Sequence, residues 1–176
     1  MRAERRDILR RIGGLAFSLL SLPSQEAHSA DELVSCSRLG RLRVCVTVPL
    51  AIVEEDAMAK LFQAPASNMA KIYIFRRGTM AAKTKSTIIF DGASIATLAP
   101  MTYTVIEAAP GVHHLTTSWD HEAELELNLE PGKNTFVENT FSLLFFTMTS
   151  SLKPIDEQLA KAAIAGLNLV KRSTET

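Results

Sequence analysis

The 176-residue sequence lacks an excess of charge of either sign, with 19 Lys and Arg residues against 19 Asp and Glu residues. Proteins that bind nucleic acid through its phosphates carry a surplus of Lys and Arg, so we expect no nucleic-acid partner. The sequence also lacks an apolar run of the ~20 residues that a membrane-spanning helix needs. Hydrophobic (47%) and charged (22%) contents are those of an ordinary globular domain.

Motifs of common catalytic sites are missing as well. The sequence has no G-x-S-x-G nucleophile elbow and no glycine-rich phosphate loop. Glu122, Glu124 and Glu126 alternate along a predicted strand, which indicates a solvent-exposed face. A pair of hydrolase carboxylates would need two different environments instead. We therefore predict that the protein is not an enzyme, with no catalytic residues and no cofactor.

The N-terminus has the three parts of an export signal in order. Five arginines in "MRAERRDILRR" precede the apolar run "IGGLAFSLLSLP" and the small residues of "EAHSA". This pattern predicts a signal peptide over residues 1–30, cleaved near Ala30 or after Ser29. An N-terminal amphipathic helix that stays on the protein is the alternative.

The arginine pair of this segment also bears on the export route. "RRDILR", with Arg5 and Arg6, resembles a twin-arginine signal, and the general secretory route is the alternative. Cleavage would remove five basic and three acidic residues, leaving 14 basic and 16 acidic ones. We expect a mildly acidic protein of the periplasm or cell envelope.

The only two cysteines, Cys36 and Cys45, lie in "CSRLGRLRVC". An even pair in an exported protein predicts a disulfide. A lipid anchor is the alternative, because "LVSC", Leu33 to Cys36, has the form of a bacterial lipobox. The spacing of cysteines and histidines matches no zinc motif.

Residues 31–68 are predicted to hold one strand, one short helix and a linker. Apolar and polar residues alternate from Arg41 to Val48, as in a strand. Helix formers with acidic residues in the first turn predict a helix over about 54–62. The linker "ASNMA" then marks a domain boundary.

From residue 69 the pattern is that of short strands separated by turns. "KIYIFRR" alternates, with Ile72 and Ile74 on one face and Tyr73 and Phe75 on the other. Turns are predicted at three dipeptides, which are Asp91-Gly92, Pro110-Gly111 and Pro131-Gly132. A short C-terminal helix, with Ile155, Leu159, Ala162 and Ala163 at helical spacing, precedes a last strand in "LNLVK". The sequence thus predicts an all-β, antiparallel β-sandwich with a short helix at each end.

Several of these motifs, in this order, resemble the DUF2846 family of small bacterial envelope proteins. They are "AKIYIFRR", "IIFDGASIATL", "YTVIEAAPGVHHL" and "LELNLEPGKNTFV", within residues 69–172, which leaves 173–176 as a tail. Part of this region is also similar to the PEGA-type module. The resemblance implies an Ig/fibronectin-like or PEGA-like sandwich in the envelope and no particular activity. The turn-associated family positions are Asp91, Gly92, Pro110, Gly111, His113, Pro131 and Gly132. Arg77 and Pro100-Met101 depart from the family pattern.

The adjacent histidines His113 and His114 are predicted to point to opposite faces of a strand, so they cannot together bind one ion. At the "PG-x-H" position, the resemblance implies a structural role for His113. A metal-binding module using His114 and His121, with Asp120 or Glu122, is an alternative.

"NTFSLLFFTMTS" is apolar on both faces, with Leu143 and Phe145 on one and Phe146 and Met148 on the other. This predicts a buried central strand, and the alternative is an exposed contact patch for a protein or the membrane. The function we predict is a non-enzymatic binding or accessory domain of the envelope, whose partner is an unknown envelope protein or surface ligand. The alternative is a lipoprotein acylated at Cys36, and membrane association would need either that lipid or the apolar strand.

Overall fold

The computed structural model describes residues 34–39, 41–119 and 122–173. The predicted export signal, residues 1–30, lies outside these ranges. Strands predominate in the described ranges, with two short helices, α1 (Val53–Ala59) and α2 (Glu157–Ile164). The prediction of a mostly β protein with two short helices is therefore confirmed, and none of the described helices is long and apolar enough to cross a membrane.

The described strands are β1 (Val34–Leu39), β2 (Leu42–Thr47), β3 (Ala70–Arg76), β4 (Ser86–Phe90), β5 (Ala93–Leu98), β6 (Thr102–Ala108), β7 (Gly111–Ser118), β8 (Ala123–Leu129), β9 (Asn134–Leu144), β10 (Thr147–Pro154) and β11 (Asn168–Leu169). β1 and β2 form a two-stranded sheet. The larger sheets have the strand orders β10-β9-β3-β6-β11 and β5-β4-β7-β8.

The five-stranded sheet is mixed, although the sequence predicted antiparallel pairing. β3 pairs with β9, and β6 with β11, in parallel. Parallel neighbours need a long crossover connection. The chain makes one through the four-stranded sheet before β9 and another through α2 before β11.

The two larger sheets share one hydrophobic core. Ile72 and Ile74 of β3 pack in it with Ile88, Leu115 and Leu127 of the four-stranded sheet. Tyr73 and Phe75 belong to a second cluster with Ala160 and Ile164 of α2. The alternation predicted for β3 is thus confirmed.

The buried face of α2 differs from the predicted one. Ala160 and Ile164 are buried, whereas Leu159 is exposed. The side chain of Asp156 accepts hydrogen bonds from the backbone N–H groups of Gln158 and Leu159 and so fixes where the helix starts. Leu159 lies on the solvent face of this helix.

The segment before β3 packs on the same core. Val46, Val48 and Leu50 belong to it, and Leu50 forms a β-bridge with Val170. The helix predicted over 54–62 ends earlier, at Ala59, and Phe62 has a φ of +51°. β1 was not predicted.

The three predicted turn dipeptides serve two purposes. Asp91-Gly92 closes the β4–β5 hairpin with positive φ at both residues, +49° and +83°. The two Pro-Gly dipeptides instead join strands of different sheets, β6 to β7 and β8 to β9. One kind of local signal therefore makes both hairpins and crossings between sheets.

Candidate functional site

The apolar segment "FSLLFFTMTS" forms a hairpin, so the prediction of a single buried strand is wrong. β9 ends at Leu144, β10 begins at Thr147, and Leu144 and Thr147 are paired. Only Phe145 and Phe146 lie between them. Their exposed fractions are 89% and 100%, and that of Leu143 is 57%. The segment reverses direction at its most apolar point and presents these side chains to solvent.

The turn between β9 and β10 is built from residues that do not suit it. Phe145 and Phe146 have φ values of +46° and +68°, the same left-handed region as Asp91 and Gly92 in the β4–β5 hairpin turn. Asn-Gly and Asp-Gly are the favoured dipeptides for this geometry. Each non-glycine residue in the left-handed region costs roughly 1–2 kcal/mol. Folding alone gives no reason for two phenylalanines here.

This hairpin extends past the strand that supports it. β3 pairs with β9 only as far as Glu138, and in the described part of the chain β9 beyond that point is paired only with β10. We call residues 139–152, whose outer six residues on each strand span ~20 Å, the ribbon. The ribbon contains no charged residue. Hydroxyl groups pair across it, Thr140 with Ser151 at 2.7 Å and Ser142 with Thr149 at 3.0 Å.

A buried arginine holds the base of the ribbon. The guanidinium carbon of Arg76 lies 4.1 Å from the ring centroid of Phe141. The ring of Trp119 also contacts the Phe141 ring, in an edge-on arrangement. The guanidinium also donates hydrogen bonds of 2.8 to 2.9 Å to three carbonyls of the following loop, those of Met80, Ala81 and Thr84. Burial lowers the pKa of Arg76 to about 10, a value at which the group stays charged at neutral pH.

A second arginine contact lies where β3 and the ribbon separate. Nε of Arg77 donates to Oε1 of the buried Glu138 at 2.7 Å, and its terminal nitrogen donates to Oε2 at 3.1 Å. Arg76 follows Ile72 and Ile74 on the core face of β3, and its side chain is buried.

His113 has hydrogen bonds at both ring nitrogens. Nδ1 lies 2.6 Å from Oδ2 of Asp91, and Nε2 lies 2.8 Å from the carbonyl oxygen of Ala109. A carboxylate and a carbonyl both only accept hydrogen bonds, so the ring donates twice when it is protonated. Burial would lower the pKa of His113, but the bonds to Asp91 and Ala109 and the charge of Asp91 outweigh it and raise the pKa.

Asp91 joins the β4–β5 turn to β7 through this pair. Its Oδ1 accepts a hydrogen bond of 2.9 Å from the backbone N–H of His114, and the ring of His113 stacks on Phe90. The fold therefore brings Asp91 and His113 together with Ala109, the residue before Pro110. Pro131-Gly132 lies elsewhere, where the Gly132 N–H donates to the Met69 carbonyl. With both nitrogens in use, His113 supports the turn and is not free to bind a metal or a substrate.

Of the two histidines in the alternative metal-binding module, only His114 lies within the described residues. His114 is exposed on β7, opposite Glu126 of β8, while His121 and Asp120 lie outside the described residues. Across the ranges that the structure describes, no three His, Cys, Asp or Glu side chains come together as a metal site.

The two cysteines lie opposite each other on paired strands. The antiparallel register of β1 and β2 places Cys36 across from Cys45. Facing residues in such pairs have Cα atoms ~4.5–5.5 Å apart, within the range that a disulfide spans. Acylation at Cys36 would instead make it the first residue and remove Val34 and Ser35 from β1. The register thus favours the disulfide, which stays a prediction.

One open cleft separates the edges of the two larger sheets. Its volume is about 580 Å³, and it lies between β5 and β6 with Ile95, Ile106, Glu107 and Arg172 in its lining. Its charged groups are one carboxylate and one guanidinium, and Ser94 and Ser173 add hydroxyl groups. They do not converge in the way that a small-molecule site requires.

The chain resembles a bacterial protein. An uncharacterized protein of Haemophilus influenzae is 30% identical to it over 129 residues, which are 73% of this chain and 77% of the Haemophilus protein. The chain belongs to the family of that protein. No family model matches the chain, so membership of DUF2846 stays a prediction, and no solved structure matches it.

Proposed function

We propose that the protein is an exported, non-enzymatic binding domain of the cell envelope that contacts its partner through the tip of the ribbon. One observation carries this proposal. Phe145 and Phe146 are almost fully exposed at a turn whose backbone geometry disfavours both. Strained residues that persist in a fold point to a function. An exposed aromatic pair is suited to burial against another molecule.

The rest of the ribbon is suited to present this tip. Arg76 and Phe141 hold its base against a loop, and the hydroxyl pairs join its strands. A tip on a rigid support loses little conformational entropy when it binds. The other sites that the sequence singled out are less suitable, since both ring nitrogens of His113 already have partners.

Within this proposal, residues 69–172 form a DUF2846-like β-sandwich of Ig/fibronectin-like or PEGA-like type, and residues 1–30 direct export. Two sheets with a shared core and a tight Asp-Gly hairpin support the sandwich. The arginine-rich and apolar segments of the N-terminus support export to the periplasm or envelope. Acylation at Cys36 is the competing form of the protein, and the register of β1 and β2 argues against it.

Crosslinking in living cells tests the proposal. A photoreactive amino acid at Phe146 should give covalent adducts with the partner, whether protein or lipid, after export. The same amino acid at Val112, which is 59% exposed on β7 and distant in sequence from the ribbon, is the matched control and should give none. Exported protein without an adduct at position 146, or with equal adducts at both positions, would contradict binding through the tip.

A further inference from the structure

We infer that the partner of the ribbon tip is an uncharged lipid surface, into which Phe145 and Phe146 insert. This inference rests on the proposed function and names its partner. It follows from the size of the tip, from its charge and from the state of its polar groups.

The tip is too small for a stable protein interface. An aromatic side chain buries about 150–250 Å², so Phe145, Phe146 and the half-exposed Leu143 offer on the order of 500 Å². A stable protein complex buries about 800 Å² on each partner. A two-residue turn is also convex, and a protein would have to supply a matching pocket. Acyl chains surround a convex apolar tip without one.

The ribbon lacks the charges of an anionic lipid site. Binding to anionic lipids relies on Lys and Arg. Between Glu138 and Lys153 the chain has neither acid nor base. Attraction to this surface is therefore apolar and independent of salt.

Two of the hydroxyl groups near the tip are already paired. Ser142 bonds to Thr149 across the ribbon, and the paired strands satisfy backbone groups beside the turn. Unsatisfied polar groups are what makes insertion into lipid costly. An interfacial segment enters ~5–10 Å deep, which at the rise of a strand reaches the turn and the first residues on each side.

Vesicle flotation with the purified, folded protein tests the inference. The wild-type protein should float with vesicles of phosphatidylcholine alone, and equally so at high salt. F145N/F146G supplies the favoured turn residues and removes the apolar tip, so its partition should fall at least tenfold. F146L should retain most of the binding, and V112S, which changes an exposed apolar residue outside the ribbon, should bind like the wild type.

A second measurement reports insertion directly. The indole fluorescence of F146W should shift to the blue on addition of phosphatidylcholine vesicles, and that of V112W should not. The inference is overturned if the wild type does not float with these vesicles, if F145N/F146G binds equally well, or if binding needs phosphatidylglycerol and disappears at high salt. Adducts of position 146 with a protein in cells, without vesicle binding, would overturn the lipid partner and leave the proposed function standing. Vesicle binding by a chain that is not exported would overturn the proposed function alone.

Discussion

His113 shows how one residue can couple the stability of the fold to pH. Its ring lies between Asp91 and the carbonyl of Ala109, and neither acceptor can donate a hydrogen bond back. Loss of the second proton therefore breaks one of the two bonds. The raised pKa of His113 expresses the same preference of the folded state for the protonated ring. This residue links the turn at Pro110-Gly111 to the turn at Asp91-Gly92.

The sign of the pH effect follows from that shift. A histidine whose pKa is raised by folding stabilises the protein below the unfolded pKa of about 6.5, and this stability is lost as pH rises through the folded pKa. We expect His113→Gln to lower the free energy of unfolding by about 1 kcal/mol at pH 5.5 and by less at pH 8.5. The effect at pH 5.5 is no larger because Asp91 is partly exposed and solvent weakens its attraction to the ring. Urea unfolding at both pH values measures the difference.

The matched control for His113 is its neighbour. His114→Gln changes an exposed ring on the opposite face and should leave the pH dependence of the wild type unchanged. The hydrogen bond from the His114 N–H, and then the one from His113, lower the pKa of Asp91. The stabilising contribution of Asp91 is therefore lost only at acidic pH, and measurements above pH 5 avoid this second effect. An equal loss of stability at both pH values would show that His113 acts through packing alone.

The ribbon is the element whose energetics differ most from its sequence signal. Two phenylalanines in the left-handed region oppose the hairpin that they close, while the pairing of β9 with β10 and the contact of Phe141 with Arg76 favour it. Asn-Gly relieves that opposition. We expect F145N/F146G to raise the free energy of unfolding by about 1–3 kcal/mol, measured by urea unfolding. F145L/F146L, which keeps side chains with a Cβ atom at both positions, should gain much less. A loss of stability in F145N/F146G would mean that the phenylalanines stabilise the fold.

A comparison of the ribbon with other elements shows what sequence patterns can predict. Asp91-Gly92 predicts its hairpin because the dipeptide itself favours the turn, and the alternation in β3 predicts its two faces. Phe145-Phe146 carries no turn signal, and residues that are apolar on both faces fit a buried strand as well as an exposed ribbon. Pairing partners are also hidden. Pro110-Gly111 and Pro131-Gly132 look like hairpin turns, but whether they join neighbours or cross between sheets depends on the packing of the whole chain.

At the scale of the whole molecule, the chain before β3 and the chain after α2 are joined at one edge of the five-stranded sheet. Ala51 donates to the Leu169 carbonyl, and the carboxylate of Asp56 accepts from Tyr103 and from the Leu169 N–H. β10, which carries one side of the ribbon, is the opposite edge strand of that sheet. The ribbon can therefore meet a surface without displacing the segment around α1.

The state of the N-terminus can be read from one measurement on protein from fractionated cells, its intact mass without reduction. We expect a soluble chain that begins near Ala30 or Asp31 and is lighter by two hydrogens, because the register of β1 and β2 sets Cys36 opposite Cys45. Reduction, or C36S/C45S, should then lower the free energy of unfolding by about 2–3 kcal/mol. A membrane-bound chain that begins at Cys36 and carries acyl mass would contradict the disulfide. Acylation would also supply a membrane anchor of its own. The ribbon would then act as a second contact with that membrane, because stable anchoring commonly combines two weak signals.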